Sequence, residues 1–292
     1  MNSSISQRHY PSHWKMGQVT PLFKKDDKFC KKNYRPVTVL PALNNYIFER
    51  ILAKQLEAFY LNILSDFISA YRRNYSCETS LLRLTEDWRK SRDNKEIVAV
   101  VSMDLSKAFD SIPHALLLAK FKAYGLSERS TELLRSYLSG RIQRVKIGDM
   151  FSNWELVRRG VPQGSVLGPM FFNVHINDLF YHIELANLNA YTDDEQLYSS
   201  DKDPEALNRR LEHELRIVNS WYKGRYVFSW GGRAGASEGR VISESEHQKG
   251  RAIPHVSYSR EGHTSFPEFF NENFCDVSFH FSYRLSFSFH LL

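Results

Sequence analysis

The strongest constraint on this chain is where its carboxylates fall relative to its apolar runs. Ile97-Val98-Ala99-Val100-Val101-Ser102-Met103 is apolar and β-branched enough to be a fully buried strand, and it ends on Asp104. Farther along, Leu188-Asn189-Ala190-Tyr191-Thr192-Asp193-Asp194-Glu195-Gln196-Leu197-Tyr198 is predicted as a short hairpin with two acids at its tip. A carboxylate at the end of a buried strand is costly unless its charge meets a partner, and a cation suits three converging acids. Hard oxygen ligands on adjacent strands describe a pair of Mg²⁺ ions, which clamp the attacking and leaving oxygens of a phosphoryl transfer. An Asp pair at a hairpin tip is also ordinary turn chemistry, and an Asp after a strand commonly caps a helix. A third element decides between these readings.

That element is Arg158-Arg159-Gly160-Val161-Pro162-Gln163-Gly164-Ser165-Val166-Leu167-Gly168-Pro169. It lacks the Gly-Lys-Ser/Thr ending of a P-loop, so it is not a phosphate loop of that kind. Met103-Asp104-Leu105-Ser106-Lys107-Ala108-Phe109-Asp110, then Gly160-Val161-Pro162-Gln163-Gly164-Ser165, then Tyr191-Thr192-Asp193-Asp194 resemble the three palm motifs of reverse transcriptases. Their order and approximate spacing resemble the non-LTR retrotransposon (LINE, jockey-like) branch. Upstream, Trp14-Lys15, Val19-Thr20-Pro21-Leu22-Phe23-Lys24-Lys25 and Asn33-Tyr34-Arg35-Pro36-Val37 resemble that branch's fingers region. So do Ser69-Ala70-Tyr71-Arg72 and Ser76-Cys77-Glu78-Thr79-Ser80-Leu81-Leu82. The resemblance runs from His13 to Trp221.

The resemblance implies an α+β fold of the right-hand polymerase kind: fingers over residues 1–95 and a palm, an antiparallel sheet with packed helices, over 96–224. Residues 225–292 do not match, so the thumb is expected to be missing and the element truncated. The implied activity is RNA-directed DNA polymerisation by two-metal nucleotidyl transfer, with RNA template, DNA primer and deoxynucleoside triphosphates as partners. Neither a membrane nor an obligate protein partner is implied. Asp104 and Asp193 would hold both Mg²⁺ ions (Mn²⁺ being a substitute), the Leu105 carbonyl would complete one shell, and Asp194 would be a weaker or outer ligand. Lys24 and Arg35 match the triphosphate-gripping positions, a lysine as a point charge and a guanidinium as a bidentate fork. Phe109 stands where the family sets a bulky side chain against the sugar to exclude a 2′-hydroxyl; read without the resemblance it is a core Phe. Gln163 and Gly164 would lie along the template strand and incoming base, glycine permitting close backbone approach. Two positions depart from the pattern: the family usually has Ala at Thr192 and often Thr at Glu195. Glu195 is expected to add a fourth negative charge beside the metals.

Composition agrees without deciding. The chain has 292 residues, 42% hydrophobic and 25% charged, ordinary for a globular protein. A net charge of +6 suits a polyanionic partner. The charge is clustered: Lys15, Lys24, Lys25, Lys28, Lys31, Lys32 and Arg35 face only Asp26 and Asp27 in their stretch. That is either a solvated loop or a surface for nucleotide phosphates and template backbone. Cys30, Cys77 and Cys275 have no metal or disulfide spacing, which points to a reducing, intracellular compartment without choosing nucleus or cytoplasm. No apolar run approaches the roughly 18 residues that span a bilayer. An endonuclease is not expected in the residues before His13.

Helical periodicity is expected over residues 44–60 and 81–90. Ser111 is expected to cap a helix beginning near Pro113 and ending at Gly125. Ser127 caps another that ends at Gly140, and residues 143–147 and 154–157 pair around Gly148-Asp149. A buried helix spans 166–179, and Asp203 with Pro204 opens a last helix with Leu207, Leu211, Leu215, Val218 and Trp221 inward. Residues 231–250 read as a disordered linker. Phe279, Phe281, Tyr283, Leu285, Phe287, Phe289 and Leu291 alternate with mostly polar residues as in a half-buried or aggregation-prone strand. Such a chain is either a polymerase domain or an inactive remnant that only binds RNA through its basic fingers. An RNA-templated RNA polymerase is disfavoured by Phe109, and an intron-encoded maturase by the Lys24 and Arg35 context.

Overall fold

The computed structural model describes residues 2–105, 107–225 and 277–280. In chain order these form α1 (Asn2–Ser6), β1 (Met16–Phe23), β2 (Tyr34–Val39), α2 (Glu49–Tyr60), α3 (Cys77–Asp93), β3 (Ile97–Leu105), α4 (Ala108–Ser111), α5 (His114–Ala123) and α6 (Glu128–Leu138). There follow β4 (Arg141–Ile147), β5 (Met150–Phe151), β6 (Glu155–Val157), α7 (Gly168–Ile176), β7 (Asn187–Tyr191), β8 (Asp194–Asp201), α8 (Pro204–Arg225) and β9 (Val277–His280). The linker expected over 231–250 and the alternating residues from Phe281 onward lie outside the described residues. Phe279 lies in β9, which pairs antiparallel with β3.

Two sheets organise these elements. In the first, β1 and β2 form a hairpin whose tip closes where the Lys24 N–H donates to the Asn33 carbonyl at 2.8 Å. The later strand β4 joins β1 in parallel, and β5 and β6 both fold back on β4. The second sheet is antiparallel throughout, in the order β7-β8-β3-β9.

The period-two geometry of the second sheet sorts its side chains onto two faces. Val101 and Met103 pair with Leu197 and Glu195, which pair in turn with Leu188 and Ala190, and all are buried. Helix α8 covers this face: Tyr222 reaches Glu195, and Arg210 donates to Ser199 Oγ at 3.0 Å. On the other face, Val98 and Val100 pair with Ser200 and Tyr198 beneath α3, where Tyr198 donates to Asp87 and Ser91 to Ser200. The strand expected to be buried on both sides is therefore buried through Val101, Met103 and Leu105, while Val98, Val100 and Ser102 are half-buried. The reason is that α3 covers only part of its face.

Several local expectations hold. Ser127 caps α6 through the Ser130 N–H, Asp203 caps α8 through the Glu205 and Ala206 N–H groups, and Gly125 ends α5 at φ +94°. Helix α3 starts a turn before the expected residue 81, because Ser76 caps it in a box with Thr79. Ser111 does not cap the helix after it. It ends the short α4 and donates back to the Ala108 carbonyl, and Pro113 stands at the N-terminus of α5.

One buried carboxylate anchors the segment that leaves the glycine-rich turn. Glu49, the first residue of α2, is fully buried. Its Oε2 accepts the N–H groups of Val166 at 2.7 Å and Leu167 at 3.2 Å. Its Oε1 accepts from the Asn44 amide at 2.8 Å and the Tyr137 hydroxyl at 3.0 Å. Asn44 Oδ1 accepts in turn from the Tyr10 hydroxyl. Four donors from three segments converge on one side chain, so removing it strands all of them.

Glu49→Leu is therefore expected to destabilise the chain by at least about 3 kcal/mol. Glu49→Gln, which keeps one acceptor oxygen, should cost less. Thermal melting checks this: a Leu variant melting within about a degree of the parent would contradict the assignment.

Candidate active site

The open face of the second sheet carries the carboxylates. Asp104 in β3 pairs with Asp194 in β8, which pairs with Tyr191 in β7, so all three positions share that face at one end of the sheet. The Leu105 N–H donates to the Asp193 carbonyl at 3.2 Å and locks the turn onto the end of β3. Asp193 is half-buried and Asp194 exposed. The connection is two residues long, with Thr192 at φ +61°, a conformation usually given to glycine at the first central position of such a hairpin. A β-branched residue is strained there, and Thr192 partly compensates by donating its hydroxyl to Asp193 Oδ1 at 2.8 Å. Among the described side chains, which do not include that of Asp104, no group of three His, Cys, Asp or Glu is gathered to hold a metal. The backbone register is what brings the three acids to one place.

The glycine-rich segment ties this end of the sheet to both neighbours. Gly160 donates its N–H to the Ile112 carbonyl at 2.8 Å, and Val161 donates to Phe109 at 2.8 Å. A Cβ on Gly160 would lie 2.5 Å from the Asp110 carbonyl oxygen, and φ there is +78°. Gly164 has φ +120°, and a Cβ on it would lie 2.5 Å from the Thr38 carbonyl oxygen. Beside it, Thr38 donates its N–H to Gln163 at 2.7 Å. Both glycines serve close backbone approach: one against the chain following Asp104, the other against β2. Gln163 is half-buried along that seam.

Lys24 and Arg35 are exposed at the β1–β2 hairpin, Arg35 opposite Leu22. Among the described residues neither makes an ion pair. Phe109, on α4, is half-buried and stacks on Phe172 with ring centroids 5.0 Å apart and planes at 25°. It is thus packed against the core while keeping exposed surface. Tyr71 meets the same ring edge-on at 6.4 Å. Burial first, then the negative potential of Asp193 and Tyr191, holds the Tyr71 phenol above its usual range, opposed by Arg35. The Tyr71 phenol thus lies within electrostatic reach of both Arg35 in the first sheet and Asp193 in the turn of the second.

Glu195 overturns an expectation. It is not a further charge among the other acids: strand alternation turns it to the opposite face, where it is fully buried and accepts the Tyr222 hydroxyl at 2.6 Å. Burial pushes its carboxyl up to about 7, with the Tyr222 bond pulling the other way.

Two residues of consequence escaped the sequence reading. Glu49 sits in Ile47-Phe48-Glu49-Arg50-Ile51, where an acid inside an apolar helical run was its only signal. Tyr71 lay in a segment noted for resemblance alone. Its positive φ, +57°, has no signature in a non-glycine residue.

Comparison with known proteins places this geometry. The reverse transcriptase (RNA-dependent DNA polymerase) family matches residues 23–227, and the chain belongs to that family. It is 32% identical over 239 residues to a probable RNA-directed DNA polymerase from transposon BS of Drosophila melanogaster. It is 25% identical over 230 residues to the RNA-directed DNA polymerase from the mobile element jockey of the same organism. These alignments cover 76% and 75% of the chain, which spans about a quarter of each relative's length. The fold resembles apo telomerase from Candida tropicalis truncated from its C-terminal domain, with a TM-score of 0.53 at 14% identity. That match covers 77% of this chain and 51% of the other. The α+β polymerase fold and the non-LTR relationship are both as the motifs implied. No helix among the described residues is long and apolar enough to cross a membrane.

The Glu195 assignment predicts a pH dependence. A carboxyl whose proton the fold retains adds stability that is complete below the ordinary carboxylate range and is lost as pH rises through about 7. Without divalent metal, the melting temperature of the parent should therefore drop more between pH 5 and pH 8 than that of Glu195→Gln. Equal drops would contradict the burial of this charge.

Proposed function

We propose that this chain is the polymerase portion of a retroelement protein and copies an RNA template into DNA, with fingers over residues 1–95 and palm over 96–224. The hairpin region at 141–157 lends its strands to the fingers sheet. The observation that carries this reading is the β3–β8 register, which sets Asp104 opposite Asp194 with Asp193 in the adjoining turn.

The donor set fits hard divalent cations: carboxylates and a backbone carbonyl, with no sulfur or imidazole among them. Asp104 and Asp193 would hold two Mg²⁺ ions with the Leu105 carbonyl, and Asp194, exposed at the rim, would act from farther out. When bound, the ions lower the pKa of the primer 3′-hydroxyl and neutralise charge on the nucleotide phosphates. Everything else falls to the chain's own side chains. Arg35 and Lys24 grip the triphosphate from the fingers hairpin. Phe109, backed by Phe172, presents its ring to the sugar and excludes a 2′-hydroxyl. Gln163 and Gly164 line the template and incoming base along the seam with β2, where the absent Cβ lets the segment pack against Thr38. Lys25, Lys28 and Lys31, all exposed on the hairpin loop, add salt-sensitive attraction for phosphate backbone.

Primer extension with purified protein, poly(rA)/oligo(dT), dTTP and Mg²⁺ tests the reading. Asp104→Asn and Asp193→Asn are each expected to reduce the rate by ~10²–10³, and Asp194→Asn by less. Extension that survives Asp193→Asn nearly unchanged would sink the two-metal assignment.

A further inference from the structure

The backbone at Tyr71 is unusual. A bulky aromatic residue at φ +57° is a conformational outlier, and such strain persists where the surroundings over-determine it. Here they do. The Ser69 N–H donates to the Ala190 carbonyl at 3.0 Å, which docks the loop on β7 beside the Tyr191 turn. The buried Asn173 donates its amide to the Ala70 carbonyl at 2.9 Å. Arg72 donates to the carbonyls of Ser65 at 2.6 Å and Ile68 at 3.0 Å, and its guanidinium lies over the Tyr75 ring at 4.1 Å.

All this anchoring presents a side chain that the core does not need. Tyr71 is 58% exposed. Its ring edge meets Phe109 at 86°, while Phe109 stacks on Phe172. Phe109 is thus held by two rings: Phe172 from α7 and Tyr71 from the strained loop. The Phe172 contact is part of the core, whereas the Tyr71 contact is made by an exposed ring within electrostatic reach of Asp193 and Arg35.

We propose that Tyr71 is a positioning residue of the nucleotide pocket, bracing Phe109 so that selection of deoxyribonucleotides over ribonucleotides depends on both rings. The inference rests on the reading of Phe109 as the sugar-facing residue. Phe109 can exclude one hydroxyl only if its ring is held to within a few tenths of an ångström, and an unbraced half-buried ring has other rotamers open to it.

The test uses the full chain with an RNA template and a DNA primer ending in a dideoxynucleotide, so that dTTP and UTP bind with Mg²⁺ but do not react. The dissociation constants of both nucleotides are measured for the parent, Tyr71→Gly, Tyr71→Asn, Tyr71→Phe, Phe109→Ala and the double variant Tyr71→Gly with Phe109→Ala. Gly and Asn remove the ring while accepting the left-handed backbone, so both variants should melt no lower than the parent. The dTTP preference is expected to fall about tenfold in Tyr71→Gly and Tyr71→Asn, and to stay at the parent's value in Tyr71→Phe. The double variant should discriminate no worse than Phe109→Ala alone, as expected if one residue acts through the other. A parent-like ratio in both ring-less variants overturns the inference. A Tyr71→Phe ratio as poor as that of Tyr71→Gly also overturns it, by assigning the effect to the hydroxyl. An unchanged ratio in Phe109→Ala contradicts the sugar-facing reading instead, and a parent that binds neither nucleotide contradicts the proposed function as a whole.

Discussion

A buried carboxylate with no solvent of its own fixes the segment that follows the glycine-rich turn. Glu49 accepts the first N–H groups after the glycine-rich turn, and through Asn44 and Tyr137 it ties that turn to the N-terminal segment and to α6. An unpaired acid would be expelled from such a place or would take up a proton. Four converging donors make it tolerable, and the nearby Arg141, itself buried, supplies positive potential that acts on both Tyr10 and Tyr137. The turn is fixed at its far end by Glu49 and at its near end by Gly160 and Gly164, which meet backbone too closely to admit a side chain.

The second constraint is strand alternation. One residue separates Asp194, open on the rim, from Glu195, sealed beneath Tyr222. Composition treats the two as equal charges. The sheet gives one a place among the expected metal ligands and makes the other a buried group that keeps its proton toward neutrality. The strained Thr192 is the device that turns the chain from β7 into β8 in two residues.

Much of this was legible in the sequence because it depends on local signals. Ser127 and Asp203 announce helix starts through side chains that bond their own backbone, and Gly125 announces a helix stop. Asp104 and Asp193-Asp194 stood out because each ended a run of the wrong polarity. What the sequence did not disclose depends on distant partners. Glu49 is explained only by Val166, Leu167 and Tyr137, all far along the chain, and Tyr71 only by the anchoring of Ser69, Ala70 and Arg72. The parallel pairing of β1 with β4 is also non-local: β4 reads from its own residues as half of a simple hairpin, yet it completes a sheet begun more than a hundred residues earlier. Glu195 reads as one more charge beside the metals until its strand position assigns it to the buried face.

The central claim is that this register makes the end of the second sheet a two-cation site. Titration with Mn²⁺ followed by electron paramagnetic resonance tests it most directly, with the full chain holding RNA template, dideoxy-ended primer and dTTP. The expected result is two bound ions per chain, at least one of them lost in Asp193→Asn and both retained in Glu195→Gln. Binding that is unaffected by Asp193→Asn, or that is lost instead in Glu195→Gln, would contradict it.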